Sequence, residues 1–490
     1  MRSIRYFTLA CLLGGCGDGG AAEGGFFESD EPSGGGAPSD AEPPGAVPQS
    51  GPEQQLVSGQ PALVGVTRDG WAVYRDESGL RAVTLSAEPE ARGISDTPGS
   101  VLIRDSVVFN WANMDWTMNV GDLSVWTAEA GAQSIGATPY AEGLVATSAG
   151  STIAYTSNHQ AETADLMVAS ADMASPAVLI ESMGLGSEST CGARIGFVGE
   201  SLFVGWCEAG SRAARIERYD RSGETWEATL IADDALPAWS AAESGKRVFF
   251  QSSQYAAYFS EGGQSTLIDA SVAQGQIVPD GSAAFYTVGD QLRRSELPEV
   301  EPVPIVTTGY RQPVGFSPRF DMALYSTTVT YETGTQRDLL MVSTEGFNPE
   351  PIVLVEDPVA MLPRSTMTSD GRFVLYLTDV TPRGGTLHVA DRDGSEPLRF
   401  ENVLEVVALE GSTVLLTDNA SDPEQYPFVA DLKLMDLAVE KEPRLVEEKI
   451  LEPRTFQVSA EKTDVIYVRS GIDRDPADAD SSGLFWRSIE

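Results

Sequence analysis

Histidine is almost missing from this sequence: His159 and His388 are the only two in 490 residues. One lies in the polar stretch SNHQAETAD and the other in a strand-like run, and neither stands in a metal-ligand spacing. Cations are scarce as well, with 33 Lys and Arg against 72 Asp and Glu, a net charge of −39. Such a chain repels phosphate backbones and anionic leaflets, and no basic run offsets this, which excludes nucleic-acid binding by counterion release. The nucleophile elbow Gly-x-Ser-x-Gly, the phosphate loop and the dinucleotide fingerprint are all lacking. So is any stretch that keeps a 3.6-residue apolar period over three turns, so helix content should be very low. Hydrophobic residues make up 42% of the chain, enough at this length to bury a large core.

Four cysteines occur, two of them near the start. Arg2 and Arg5 precede an apolar run from Tyr6 to Leu13 that is too short to span a bilayer and reads as an export signal. The following Leu13-Gly14-Gly15-Cys16 resembles the lipobox of bacterial lipoproteins, which implies cleavage before Cys16 and lipid attachment to it. Cys11 fits less well, because Thr8 would stand where that motif has leucine. Acyl chains contribute about 0.8 kcal/mol per buried methylene and would hold the protein to a membrane. Asp18, rather than an aspartate at position 17, implies by the same resemblance the outer membrane ahead of the inner one. Residues 17–52 are dominated by Gly, Pro, Ser and Ala and cannot bury enough to fold. As a coil, this tether would span roughly 35 Å and hold a domain off the lipid. Its Phe26-Phe27 pair is assigned no role.

From residue 53 onward, short runs rich in Val, Ile, Phe, Tyr and Leu recur between turn signals. Their apolar centres fall at Tyr74, Phe109, Tyr155, Val204, Phe250, Tyr286, Tyr325, Tyr376, Leu416 and Tyr467. The mean spacing is about 44 residues, the length of a four-stranded propeller blade. The fold class is therefore all-β: about ten four-stranded units, read as eight to ten blades over 53–490, whose apolar faces are buried by radial stacking. The clearest unit, Met367 to Phe400, has Ser-Asp-Gly, Gly-Gly and Asp-Gly turns between strands. It resembles the TolB-type repeat, in which a Ser-Pro-Asp-Gly turn leads into a buried strand ending in an aromatic residue. Pro279-Asp280-Gly281, Phe316-Ser317-Pro318 and Asp69-Gly70 echo that motif. The resemblance covers about four units by motif and implies architecture, saying little of activity. Propeller peptidases with such repeats append an α/β-hydrolase domain, which this chain, ending on a strand, is not expected to carry. The last unit stops one strand short, and Gln54-Gln55-Leu56-Val57-Ser58 should complete it and remove the exposed edges.

Cys191 and Cys207 flank CGARIGFVGESLFVGWC. On a hairpin with a three-residue loop, Val198 to Glu200, they would face one another at a separation a disulfide tolerates, and export supplies the oxidising setting. Two small buried thiols are the other reading. Between two strands of the last unit, Asp473, Asp475, Asp478 and Asp480 form an oxygen-rich turn that reads first as a solvated acidic loop and second as a Ca²⁺ site, since its spacing is not that of an EF-hand. Asp220 to Trp226 partly resembles the Asp-box of sialidases, but Arg221 replaces an aspartate and one degenerate copy is a hairpin signal. Trp111 and Trp116 could stack on a sugar ring or pack in the core.

The leading expectation is a lipid-anchored, monomeric, non-catalytic binding or scaffold propeller of the cell envelope, its ligand a protein, peptide or glycan. The alternative is an extracytoplasmic hydrolase or lyase acting on a glycan or lactone with loop carboxylates.

Overall fold

The computed structural model describes residues 53–489 except 60, 98, 105, 116–119, 140–144, 148–151, 161–162, 171–175, 185–192, 209–210, 212, 224, 311, 332–333, 356–364, 397, 423–427, 452–455, 460 and 470–481. For 104, 115, 120, 136–139, 146, 159–160, 312–314, 328–331 and 334–337 it describes the backbone alone. All of this belongs to one compact unit, 36–490.

Strand follows antiparallel strand throughout. Among the described residues the pairing yields ten four-stranded sets, named here in chain order as the first to the tenth sheet. They span 62–95, 100–139, 145–184, 194–241, 225–269, 274–306, 312–355, 365–403, 405–451 and 457–488, the last completed by Gln54–Ser58. The fourth and fifth overlap because the strand Thr225–Ala241 serves both. Its first part pairs with Ala214–Ser222, and Trp239 then pairs with Phe250 of the fifth sheet.

Each apolar centre seen in the sequence lies on the second strand of its sheet, and every one is buried. The spacing has a direct cause: a strand flanked on both sides within its sheet, and stacked between neighbouring sheets, has no face left for water. Successive sheets share apolar clusters. Phe109 of the second packs with Tyr155 of the third, Phe249 of the fifth with Tyr286 of the sixth, and Leu415 of the ninth with Tyr467 of the tenth. The cycle ends where it began, because Ile466 and Leu484 of the tenth sheet pack with Ala72 and Tyr74 of the first. The chain is a β-propeller.

The turn from first to second strand repeats one device. A buried hydroxyl accepts the N–H of the residue that opens the second strand: Thr67 from Trp71 at 3.0 Å, Ser317 from Met322 at 3.0 Å and Thr368 from Phe373 at 3.0 Å. Thr147 and Ser459 repeat it with Thr152 and Asp464. Gly371 occupies the left-handed position of the Ser369-Asp370-Gly371 turn, φ +69°, where a side chain would be strained. Because strands alternate in direction, these turns and those joining third to fourth strands share one end of the sheets.

The closing strand pairs as the sequence suggests. Gln54 stands opposite Trp486 and Ser58 opposite Gly483, with a bulge between Gln55 and Val57. Leu56 is buried against the first and tenth sheets.

The hairpin before Cys207 differs from the expected one. Val198 pairs with Ser201, so the loop is the two-residue turn Gly199-Glu200, with Gly199 at φ +57°. A glycine there suits the tighter primed turn that matches strand twist. Cys207 stands opposite Gly184 of the third sheet, is buried and is disulfide-bonded. Cys191 lies outside the described residues.

Candidate functional site

Several residues singled out from the sequence, Cys16, Trp116, Asp473, Asp475, Asp478 and Asp480, lie outside the described residues, and only the backbone of His159 is described. Among the described residues no group of three or more His, Cys, Asp or Glu is placed to hold a metal ion. Trp111 is fully buried and packs in the core. The Asp-box echo is a hairpin: Ser222 pairs with Thr225, and Asp220 accepts hydrogen bonds from Ser201 Oγ at 2.6 Å and Arg218 Nε at 2.8 Å.

A cleft of about 360 Å³ opens between the eighth and ninth sheets, at the end that carries the first-to-second and third-to-fourth strand turns. Phe373, Leu398, Leu437 and Val439 give it apolar walls. Arg372 and Lys441, both exposed, stand at its rim. The Arg372 guanidinium lies over the Phe373 ring at 4.8 Å, and neither cation has a carboxylate partner among the described residues. Two acids also line it. Glu440 pairs with Arg444 at 2.6 Å, and Asp391 accepts the N–H of Arg392 at 2.7 Å. Two free cations beside an apolar wall suit a ligand that is itself apolar and anionic. The sequence hid this cleft because its two halves lie about 40 to 65 residues apart on different repeats.

A second polar constellation secures the closing strand. Arg469, 8% exposed, contacts Glu53 at 2.7 Å and Glu447 of the ninth sheet at 3.3 Å, with its guanidinium 3.8 Å from the centre of the Phe485 ring. Arg487 approaches Glu447 at 3.6 Å. Tyr467 donates to Glu53 at 3.0 Å; burial, then Glu447 and Glu53, push its hydroxyl well above the usual phenol range. Charges this deep persist only when paired, so the cluster is structural cement between the two ends of the folded segment.

A third surrounds His388. Its Nε2 lies 2.8 Å from Thr378 Oγ1 and its Nδ1 3.0 Å from Glu396 Oε1. The ring stacks on Tyr376, with centroids 4.8 Å apart and planes 2° from parallel. Burial pushes the Tyr376 hydroxyl up to about 12, and its donor bond to Leu354 O at 3.1 Å ties the stack to the seventh sheet.

The eighth sheet departs here from its neighbours. In the second, third and ninth sheets a left-handed asparagine on the second strand, or directly after it in the ninth, donates to an aspartate on the third: Asn113 to Asp122 at 2.9 Å, Asn158 to Asp165 at 2.7 Å and Asn419 to Asp431 at 3.0 Å. The signal was present in the sequence as Asp-Leu at 122, 165 and 431. In the eighth sheet Asp379 keeps the left-handed backbone, φ 52°, but Thr386 replaces the aspartate.

No family model matches the chain, and no curated protein does. Among solved structures it is similar to a eukaryotic initiation factor, at 11% identity over 70% of this chain and 88% of that one, TM-score 0.44. It is similar to Sqt1 from Chaetomium thermophilum, at 11% identity over 71% and 95%, TM-score 0.37. TolB from Acinetobacter baumannii matches at 15% identity over 57% and 75%, TM-score 0.28. Likenesses this distant decide neither activity nor partner, and the fold rests on the strand pairing. No helix among the described residues is long and apolar enough to cross a membrane.

Proposed function

We propose that this chain is a cell-envelope binding module, anchored to a membrane through lipidated Cys16, held off it by the tether 17–52 and presenting the propeller 53–490 to a protein, peptide or glycan. The outer membrane is the proposed site. The observation that carries the binding role is the cleft between the eighth and ninth sheets. In a chain of net charge −39, two exposed cations without acidic partners among the described residues flank one apolar wall. An acidic ligand with an apolar side chain gains both the ion pairs and the burial, at about 25 cal/mol per Å² of apolar surface removed from water.

The test immobilises the full-length chain and the double variant Arg372→Glu/Lys441→Glu, and passes envelope extract over both. A species retained by the natural chain and lost by the variant, in a salt-sensitive manner, supports the reading. Identical retention by both would remove the cleft from it.

A further inference from the structure

We infer that Thr378, His388 and Glu396 form a nucleophilic relay, and that Thr378 accepts an acyl group from an activated ester. None of the three residues lines the cleft, although Glu396 belongs to the turn between the lining residues Asp391 and Leu398, and the inference stands independently of the binding role.

The geometry has three parts. Glu396 Oε1, 3.0 Å from His388 Nδ1, accepts the proton on that nitrogen and so fixes the tautomer in which Nε2 carries a lone pair. That lone pair faces Thr378 Oγ1 at 2.8 Å, the distance at which an imidazole removes a hydroxyl proton. The stack on Tyr376 holds the ring in the required plane. Hydroxyl, base and orienting carboxylate therefore take the roles that recur in acyl-transfer sites on unrelated folds. The His388 side chain is 12% exposed and Glu396 36%, so the base is sheltered while the orienting group borders solvent. Thr378 is half-buried beside the hairpin 379–383, where Val380 is 54% exposed. Asp379 Oδ2 is a second acceptor for the hydroxyl, but at 3.3 Å it is the longer contact.

The backbone contributes as well. Pairing skips from Thr378 opposite Thr386 to Thr381 opposite Gly384, which takes Asp379 and Val380 out of the ladder beside the nucleophile. Bulged residues are released from regular pairing, so their N–H groups can face a developing oxyanion. The position also differs by repeat: Ser157 and Met167 of the third sheet, and Asp418 and Lys433 of the ninth, occupy the places of Thr378 and His388. In the ninth sheet the result is an ion pair at 2.6 Å, which has no nucleophile.

In the reaction, Thr378 Oγ attacks the ester carbonyl and His388 Nε2 takes the hydroxyl proton. The new bond is Oγ to acyl carbon; the bond broken is that carbon to the leaving alkoxide or phenolate, which departs with the electron pair. His388 returns the proton to the leaving group or to solvent. Water then repeats the attack, releasing the carboxylic acid and restoring Thr378.

The test treats the full-length chain with p-nitrophenyl acetate, follows p-nitrophenolate release, and locates acetyl groups by peptide mass. Acetylation at Thr378 is expected. It should persist on the same peptide in Thr378→Ser, vanish from it in Thr378→Val, and slow by about 100-fold in His388→Gln, the usual contribution of a general base. Melting curves confirm that each variant folds. Acetyl groups found only on lysines, or Thr378 acetylated as fast in a folded His388→Gln variant as in the natural chain, would overturn the relay.

Discussion

The eighth and tenth sheets reach the same four-stranded form by opposite routes. The eighth is drawn from one contiguous segment, 365–403, with each strand joined to the next by a short connection. The tenth needs Gln54–Ser58, more than 400 residues away in the chain, to complete it. Local turns hold the eighth; it closes little chain entropy. The tenth has to offset a long loop closure, whose cost grows only logarithmically with length, and an ion cluster around buried Arg469 stands at its seam. Local sheets are therefore specified by turn chemistry and the last one by long-range polar contacts.

The largest effect should come from deleting 53–59. This removes Leu56 from the core, exposes the edge of the strand Gly483–Ser488 and strands Arg469 without Glu53. A loss of about 5 kcal/mol or more is expected from the combined burial and unpaired charge, read as a lower urea midpoint; an unchanged midpoint would remove the distinction between the two sheets.

Next is Arg469→Met, which removes the cation shared by partly buried Glu53 and buried Glu447 and leaves them only the longer contacts to Arg487, at 4.0 and 3.6 Å. Breaking such a pair costs about 3–5 kcal/mol. Denaturant unfolding checks it, and a loss comparable with a surface substitution would mean that the cluster does not secure the seam.

On the eighth sheet the effects should be smaller and local. Thr368→Val keeps the shape but leaves the buried N–H of Phe373 without its 3.0 Å acceptor, at about 1–3 kcal/mol. Gly371→Ala costs about 1–2 kcal/mol, because an alanine at φ +69° is strained even where a Cβ has room. Hydrogen exchange should show faster opening near the 367–373 turn in both, while the closing strand stays protected.

The smallest concerns pH. Burial pushes the Asp321 carboxyl up, but the hydroxyl of Ser317 and the guanidinium of Arg392 outweigh it and hold the group below the usual carboxylate range. Asp321 on the seventh sheet thereby bridges to Arg392 on the eighth at 2.6 Å. A depressed folded pKa means stability that is complete above the unfolded value of about 3.9 and is lost as pH falls through the lower folded value. Partial exposure limits it to at most about 1 kcal/mol. Asp321→Asn should flatten that part of the acid-unfolding curve, and an identical curve would assign the pH dependence elsewhere.

The repeat was legible because burial imposes it. A strand such as Phe373–Thr381, buried from Phe373 to Leu377, must be apolar over that stretch, and a Ser-Asp-Gly turn leads into it. Closure was legible from a missing strand at one end and a spare one at the other. The shared strand Thr225–Ala241 was not, since nothing in its composition marks where one sheet hands over to the next. The His388 relay was also hidden: Thr378 lies ten residues before the imidazole and Glu396 eight after it, and only the antiparallel register and a turn bring them together. The hairpin at Gly199 was misread by one residue, because a glycine followed by a polar residue fits both two- and three-residue loops.

The most direct measurement is a cross-strand disulfide between the two ends of the propeller. Gln54 and Trp486 are antiparallel partners, and the Cα separation of such pairs, about 4.5–5.5 Å, falls within disulfide range. In Gln54→Cys/Trp486→Cys, oxidation should give an intramolecular link in the monomer that raises the melting temperature. In Gln54→Cys/Leu484→Cys, two residues out of register, it should form poorly. Equal linking in both, or linking only between molecules, would contradict closure by residues 54–58.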